Sequence, residues 1–198
     1  MDMTTTVDWA GYNANASGRP ARRVVSRAMA AARIPAGRRV VLDIGAGGGA
    51  DSLHFARHGW TVHAYDTDDT LAARLVENDR MTGQVIFHHQ DAAEVTRFPD
   101  AGIVYSSNAL PMLGPESLTR TWPLLFDALP VGGVAAVDLF GVHDTWHERD
   151  DIATLTTEEI DQMFRGFAIL DREVRDEAGR SWTGKKHWHV ITVLARKL

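Results

Sequence analysis

The amino-acid sequence predicts an α/β fold with a doubly wound, mostly parallel sheet of seven strands and one antiparallel strand in a C-terminal hairpin. Short apolar runs alternate with amphipathic segments of helical period through most of the chain, as expected when helices connect parallel strands. A glycine-rich turn, residues 45–49, directly follows the first apolar run. Beyond residue 166 the pattern changes to two long strand-like segments joined by a turn with Gly179 and Gly184, which indicates a hairpin.

The predicted strands are bounded by turn residues and rich in apolar side chains. The first strand is continuously apolar, which is typical of a central parallel strand that is buried on both faces. The longest irregular stretch, residues 139–155, is predicted to be a lid or a binding loop. The predicted strands are residues 39–43, 60–66, 85–88, 102–106, 134–139, 167–176 and 185–196.

The predicted helices follow from apolar periodicity and from their end signals. Pro35 ends the first helix, because the residue before a proline is disfavoured in the α region. Pro123 is expected to break the fourth helix locally. Thr156 and Glu159 form the capping-box pair that begins the last helix. The predicted helices are residues 19–34, 50–58, 69–80, 116–129 and 156–164.

Length and composition restrict the class of protein. The 198 residues fit one domain, residues 1–198, with an N-terminal lid and helix at 1–35 and an α/β core at 36–198. The chain has no cysteine, which excludes disulfides, thiolate catalysis and cysteine-ligated metals. Its net charge of −5 does not favour nucleic acid as a partner. We found no signal peptide and no apolar run of the roughly 20 residues that cross a bilayer, so we expect a cytoplasmic protein without a membrane partner.

The glycine-rich turn predicts a ligand site. In a doubly wound sheet, ligands bind at the carboxyl ends of the strands. Gly45, Gly47 and Gly49 permit positive φ angles and let a ligand approach the backbone closely. Because Gly45, Gly47 and Ala50 also fit the dinucleotide fingerprint, the turn alone allows an NAD-type oxidoreductase.

Three acidic residues favour S-adenosylmethionine over a dinucleotide. Asp43, directly before the turn, would repel a pyrophosphate and attract an ammonium and a sulfonium group. Asp66 ends the second strand, roughly 20 residues beyond the glycines, where a carboxylate accepts hydrogen bonds from ribose hydroxyls. Asp91 follows the third strand and is suited to accept a hydrogen bond from the adenine amine.

With these residues together, the chain resembles the class I S-adenosylmethionine-dependent methyltransferases, which have a Rossmann-like fold, and within them the small tellurite-resistance and thiopurine-type members. The matching motifs are residues 41–49, 62–66, 90–92 and 129–133, with narrower matches at 18–20, 108–111 and 186–190. The resemblance implies that the turn holds the methionine part, Asp66 the ribose and Asp91 the adenine. The cofactor-binding residues so implied are Asp43, Gly45, Ala46, Gly47, Gly49, Asp66, Thr67, Asp91, Ala92, Ser106 and Asn108.

One departure from related enzymes bears on the acceptor. Amide and nucleobase N-methyltransferases commonly carry Asp/Asn-Pro-Pro-Tyr after the fourth strand, and this chain has Ser-Ser-Asn-Ala-Leu-Pro at residues 106–111. The departure argues against an amide or nucleobase nitrogen as the acceptor. Near the N-terminus, Trp9, Tyr12 and Arg19 are candidates for a lid over the cofactor, since aromatic faces suit a sulfonium.

Four residues are candidates for a catalytic base. Asp138 ends the fifth strand, and His147 lies in the long loop that could wall an acceptor pocket. His187 and His189 alternate along the last strand and share one face, where they could equally bond neighbouring loops. No third ligand lies near this pair at metal-binding spacing, so we predict no metal.

The predicted reaction is methyl transfer from S-adenosylmethionine to a small-molecule acceptor by in-line displacement, with S-adenosylhomocysteine as product. A soft or already ionised acceptor needs little help from a base, whereas a hydroxyl or protonated amine needs one. An NAD-type oxidoreductase and a non-methylating S-adenosylmethionine-binding protein are the alternatives.

Overall fold

The computed structural model describes residues 8–76, 83–182 and 184–198. Its strands are β1 (Val40–Ile44), β2 (Thr61–Asp66), β3 (Gln84–His89), β4 (Ile103–Ser106), β5 (Val134–Gly141), β6 (Thr154–Leu155), β7 (Phe167–Ser181) and β8 (Gly184–Lys197). They form one sheet in the order β3-β2-β1-β4-β5-β8-β7, and β6 pairs with β5. All pairings are parallel except those of β8 with β5 and with β7.

The predicted fold is confirmed, but the sheet has eight strands rather than seven. The extra strand, β6, lies within the predicted irregular stretch and has only two residues. It pairs with Phe140 and Gly141, because β5 runs beyond its predicted end at residue 139. Two residues are too few to produce a recognisable alternation, so the sequence pattern could not indicate this strand.

The helices are α1 (Trp9–Ala16), α2 (Arg23–Ala31), α3 (Ala50–Arg57), α4 (Leu71–Val76), α5 (Pro115–Ala128) and α6 (Thr157–Met163). The prediction that Pro123 breaks the fourth helix is wrong: α5 continues through it. Trp122 and Leu125 on either side are buried, and this packing outweighs the hydrogen bond that proline removes. The capping box of Thr156 and Glu159 is present. The predicted helix 69–80 is observed over Leu71–Val76, and its residues 77–80 lie outside the described residues.

Apolar side chains cover both faces of the sheet. Val41 of β1 packs on one face with Val25 of α2 and Phe55 of α3. Its neighbour Leu42 packs on the other face, in the cluster that includes Leu125 of α5. Both β1 side chains have no exposed area, as expected for a central strand with helices on either side.

Two peripheral elements lie at the carboxyl edge of the parallel strands. One of them, α1, was not predicted; Asp8 is its N-cap, and the Asp8 carboxylate accepts a 2.9 Å hydrogen bond from the Gly11 N–H. The β7–β8 hairpin is longer than predicted, and its tip reaches α1, where the Trp182 and Tyr12 rings meet edge to face with centroids 6.1 Å apart. Among the described residues, none of the helices is long and apolar enough to cross a bilayer.

Candidate active site

A cleft of about 620 Å³ lies at the carboxyl ends of the parallel strands. Its volume is in the range of ordinary small-molecule sites. The glycine-rich turn lies at one end, and aromatic side chains lie at the other. The predicted cofactor residues that line it are Tyr12, Arg19, Asp43, Gly45, Ala46, Gly47, Asp66, Thr67, Asp91, Ala92 and Asn108.

Two predicted cofactor residues, Gly49 and Ser106, do not line the cleft. Gly49 precedes α3 with a φ of 78°. The Ser106 hydroxyl donates to the carbonyl of Ile44 over 2.9 Å and accepts from the Leu110 N–H over 3.1 Å. Both residues therefore shape the backbone that carries the cleft residues.

The glycine-rich turn is tightly packed from two sides. Gly45 and Gly47 have positive φ angles of 72° and 55°. A Cβ atom on Gly45 would lie 2.1 Å from the Cβ of Ala109, and one on Gly48 would lie 2.8 Å from the Asn13 carbonyl oxygen and the Ser17 nitrogen. The turn thus requires glycine both for its conformation and for the close approach of α1.

Asp43 is a buried carboxylate with one free oxygen. Its residue is 1% exposed, and the Ser52 hydroxyl donates to its Oδ2 over 2.5 Å. Its Oδ1 has no hydrogen-bond partner. Burial raises the pKa of Asp43 to about 7.

Asn108 carries the second buried oxygen that has no hydrogen-bond partner. Within the described ranges it is the only residue other than glycine with a positive φ, 56°. Its buried Oδ1 has no hydrogen-bond partner either. Among the described residues, Asp43 Oδ1 and Asn108 Oδ1 are the only buried side-chain oxygens without a hydrogen-bond partner. An unsatisfied buried acceptor costs ~1–3 kcal/mol, and strain of this kind is typical of functional sites. Both residues line the cleft, so a ligand with a cationic or hydrogen-donating group fits there.

The two other predicted acidic residues are fixed by backbone N–H groups. Asp66 Oδ2 accepts from the Gly47 N–H over 2.6 Å, and its Oδ1 accepts from the Asp68 N–H over 2.9 Å. Asp91 Oδ1 accepts from the Ala93 N–H over 2.9 Å. Each carboxylate is therefore held in one orientation and keeps lone pairs available for ligand hydroxyl or amino groups.

Asp51 lines the cleft and accepts hydrogen bonds from three residues, and it was not among the predicted site residues. Arg19 donates to both of its oxygens, over 3.1 and 2.5 Å. The Arg22 N–H and the Tyr105 hydroxyl also donate to it, over 2.9 and 2.8 Å. Burial alone would raise the pKa of Asp51, but the hydrogen bonds from Arg19 and Arg22 hold it below its ordinary value. An acidic residue in the first turn of the helix after the glycines was the available signal.

The same network explains why the predicted helix 19–34 begins later, at Arg23. Arg22 has extended backbone angles, φ −68° and ψ 144°, and its N–H is committed to Asp51. Tyr12 and Arg19 line the cleft, and the lid stays a prediction. The side chain of Trp9 lies outside the described residues.

The other end of the cleft is aromatic. Phe140, Trp146 and Trp188 line it, and their ring centroids lie 5.5 to 6.4 Å apart. Behind them the ammonium of Lys186 lies 3.7 Å from the Trp146 ring centroid and pairs with Asp144. The three rings are thereby fixed around a buried cation. Lys186 belongs to the matching motif 186–190, but no role was predicted for it.

The four candidates for a catalytic base do not line the cleft. Asp138 accepts hydrogen bonds from Ser107 over 2.8 Å and from Thr192 over 2.6 Å. His147, His187 and His189 bond instead to neighbouring loop and strand residues. Ser107, which donates to Asp138, does line the cleft.

Comparisons with known proteins agree with this site. A family model described as a methyltransferase domain matches residues 41–133, from β1 to the residue before β5. The ribosomal RNA small subunit methyltransferase G of Rhodospirillum centenum is 33% identical over 132 residues, which cover 65% of this chain. The chain spans about three fifths, 61%, of the length of that curated relative.

Solved structures share the fold. TehB from Haemophilus influenzae superposes with a TM-score of 0.65 and 19% identity, covering 80% of this chain and 57% of TehB. A methyltransferase from Methanosarcina mazei has a TM-score of 0.66 and 17% identity, covering 91% of this chain and 99% of that one.

The matched segment, residues 41–133, is similar to a methyltransferase domain, and the fold and the cleft agree with the class I S-adenosylmethionine-dependent type. The predicted resemblance to the methyltransferases is confirmed, and TehB shares the fold. The comparisons give no support to an oxidoreductase or to a non-methylating binding protein.

Proposed function

We propose that this protein transfers the methyl group of S-adenosylmethionine to a small planar aromatic acceptor that carries an anionic nucleophile. The observation that carries the proposal is the pair of unpartnered buried oxygens, Asp43 Oδ1 and Asn108 Oδ1, beside the glycine-rich turn. A ligand with a cationic methionine portion satisfies them, whereas a pyrophosphate would be repelled by Asp43. Asp66 and Asp91 line the same cleft and suit the ribose and the adenine.

When bound, S-adenosylmethionine supplies an electrophilic methyl carbon on a sulfonium. The residues of this chain then have to align the acceptor for an in-line displacement and exclude water. The rings of Phe140, Trp146 and Trp188 are suited to hold a planar acceptor by stacking. Tyr12 and Trp182 both line the cleft with their rings in edge-to-face contact, and they are suited to restrict the entry of water.

The charges around the aromatic end support an acceptor that is already ionised. Three charged side chains on the segments after β5 line the cleft: Arg149, Asp151 and Arg180. Arg149 donates to both oxygens of Asp151, over 2.9 and 2.6 Å, and holds the pKa of that carboxyl below its ordinary value. Such a carboxylate is a weak base. Because Asp151 compensates the charge of Arg149, the three side chains keep the net positive charge of Arg180, which attracts an anion. An aromatic thiol or carboxylic acid therefore suits this end better than an amine.

The proposal is tested in two stages. Isothermal titration is expected to give micromolar binding of S-adenosylhomocysteine and no binding of NAD, and the reverse result would overturn the cofactor assignment. Asp43→Asn and Asn108→Gly should each weaken S-adenosylhomocysteine binding by roughly 10- to 100-fold, the equivalent of ~1.5–3 kcal/mol for a hydrogen bond to a charged group. Asp127→Asn, an exposed aspartate of α5 that does not line the cleft, is the control and should leave binding unchanged.

The acceptor is then identified with methyl-labelled S-adenosylmethionine. The panel pairs aromatic thiols, carboxylates, phenols and amines with aliphatic compounds of the same functional groups, and it includes a short RNA because the curated relative acts on ribosomal RNA. We expect label in the aromatic thiols or carboxylates. Label in the RNA alone, or equal label in aromatic and aliphatic members, would refute the proposed acceptor class and leave the cofactor assignment intact.

A further inference from the structure

A group of metal-ligating side chains lies on the hairpin, outside the cleft. His143, Asp176 and His189 place ligand atoms within 4.8 Å of one another, and we name them the histidine–aspartate cluster. None of the three lines the cleft. We propose that this cluster binds a divalent transition-metal ion of the Zn²⁺ type.

The pairing of β7 with β8 brings two of these ligands together. Asp176 and His189 are direct partners in the antiparallel register. Residues directly opposite each other in such a pair lie on the same face of the sheet. The sequence pattern shows no third ligand near His187 and His189 of β8, because Asp176 lies on β7, which pairs with β8. The register of the hairpin supplies it.

The loop after β5 contributes the remaining ligand. The His143 N–H donates to Nδ1 of His189 over 3.1 Å, and the two imidazole rings stack with centroids 4.7 Å apart. Gly141 makes this approach possible, since a Cβ atom there would lie 2.1 Å from His189 Nδ1. Main-chain contacts therefore hold the two histidines close together before any ion binds.

The separation of two of the ligand atoms is close to that in tetrahedral coordination, and all three lie within 4.8 Å of one another. His143 Nδ1 lies 3.0 Å from Asp176 Oδ2. Ligand bonds of ~2.0–2.1 Å in a tetrahedral zinc site place neighbouring ligand atoms roughly 3.3 Å apart. Two imidazoles and one carboxylate form a mixed nitrogen–oxygen donor set of the kind that binds Zn²⁺ and leaves a further position for water. In this structure a hydrogen bond links His143 Nδ1 and Asp176 Oδ2 across that separation.

A fourth side chain orients the carboxylate. His187 Nε2 lies 2.6 Å from Asp176 Oδ1, the oxygen that His143 does not contact. Hydrogen-bonded neighbours of this kind fix the orientation of metal ligands. The side chains of His143 and Asp176 are 65% and 38% exposed, so an ion in solution can reach them.

Binding at this cluster would connect the hairpin to the wall of the acceptor end. The segment that carries His143 continues into Asp144, which accepts from the His189 N–H over 3.1 Å, and into Trp146 of the aromatic end. An ion that joins His143 to β7 and β8 therefore stabilises the loop that carries Trp146. The effect is structural, because no cluster residue contacts the cleft.

The test measures metal binding directly on protein without an affinity tag. Titration calorimetry with ZnCl₂ is expected to show one bound equivalent, and Co²⁺ in its place is expected to give the visible absorption bands of four-coordinate geometry. His143→Ala and Asp176→Asn should each weaken Zn²⁺ binding at least tenfold, and His187→Ala should weaken it less. Added Zn²⁺ should raise the melting temperature of the wild-type protein but not that of the His143→Ala and Asp176→Asn variants.

The matched control is His54→Ala. His54 and His58 also form a close pair, with ring centroids 4.4 Å apart, on α3 and its C-terminal flank, far along the chain from the hairpin. Binding that survives both cluster substitutions, binding that His54→Ala abolishes, or no binding at all would each overturn the proposal. S-adenosylhomocysteine titration of the same variants checks their folding and keeps the result separate from the proposed methyl transfer.

Discussion

Replacing the buried carboxylate of Asp43 by an amide is expected to stabilise the fold while it weakens the cofactor site. Asp43→Asn preserves the shape of the side chain and its contact with Ser52. It removes a charge that lies 1% exposed, with one oxygen unpartnered. Asp43 thus lowers the stability of the wild-type protein. Its unpartnered Oδ1 is the atom that binds the cationic methionine portion in the proposed function.

The magnitude follows from the pKa of this group. Burial raises it from the ordinary 3.8 to about 7. A group with a raised pKa in the folded state contributes stability below its unfolded pKa and loses that contribution as pH rises through the folded pKa. At ~1.4 kcal/mol per pKa unit, the loss for wild-type protein between pH 4 and pH 7 is about 4 kcal/mol. The asparagine variant has no such loss, although its amide also needs a partner, so we expect a net gain of about 2–4 kcal/mol at pH 8.

The assay is urea unfolding of both proteins without cofactor, at pH values from 4.5 to 8. The gain of Asp43→Asn should grow from near zero at pH 4.5 to its full size above pH 7, with a melting temperature higher by roughly 5–15 °C at pH 8. Asp138→Asn is the control, because both of its carboxylate oxygens accept hydroxyl hydrogen bonds and its substitution should lower stability. A gain that does not depend on pH, or a loss at pH 8, would refute the reasoning.

Three further substitutions test other parts of the site. Gly48→Ala should cost about 1–3 kcal/mol in urea unfolding, because its Cβ would lie 2.8 Å from the carbonyl oxygen of Asn13; unchanged stability would contradict the packing of α1 on the turn. Asp51→Asn should cost about 3 kcal/mol at neutral pH by leaving Arg19 unpaired. Since the pKa of Asp51 is lowered, that cost should shrink as pH falls through it, and a constant cost would argue against the ion pair. Trp188→Leu should raise KM for the acceptor at least tenfold with unchanged S-adenosylhomocysteine affinity, and an equal effect on both ligands would refute the division of the cleft.

Most of the fold was predictable because its signals are local. The alternation of apolar strands and amphipathic helices, the capping box and the change of period before the hairpin are all read within a few residues. The helix α1 was not predictable in this way. Its eight residues have no marked apolar face, and it is held by tertiary contacts, including the 2.9 Å bond from Asn13 to Asp68 and its fit against Gly48.

The cofactor end of the site was likewise accessible to sequence reasoning, and the acceptor end was not. Glycines that need positive φ and acidic residues at strand ends have fixed positions relative to the strands that carry them. The aromatic wall combines β5, the loop after it and β8, which are distant along the chain. The role of Lys186 behind that wall depends on the same packing, since a lysine in a strand carries no signal of burial.

The sequence by itself determined the strand–helix order, the glycine-rich turn and the acidic residues around it, because backbone sterics and side-chain polarity act over short distances. Only the tertiary structure decided which side chains share a space. It placed Asp51 beneath Arg19, kept the four candidate bases away from the cleft lining, and brought Asp176 to His189 through the register of β7 and β8. Register is a property of two paired strands, fixed by the packing of both, and no spacing within one segment encodes it.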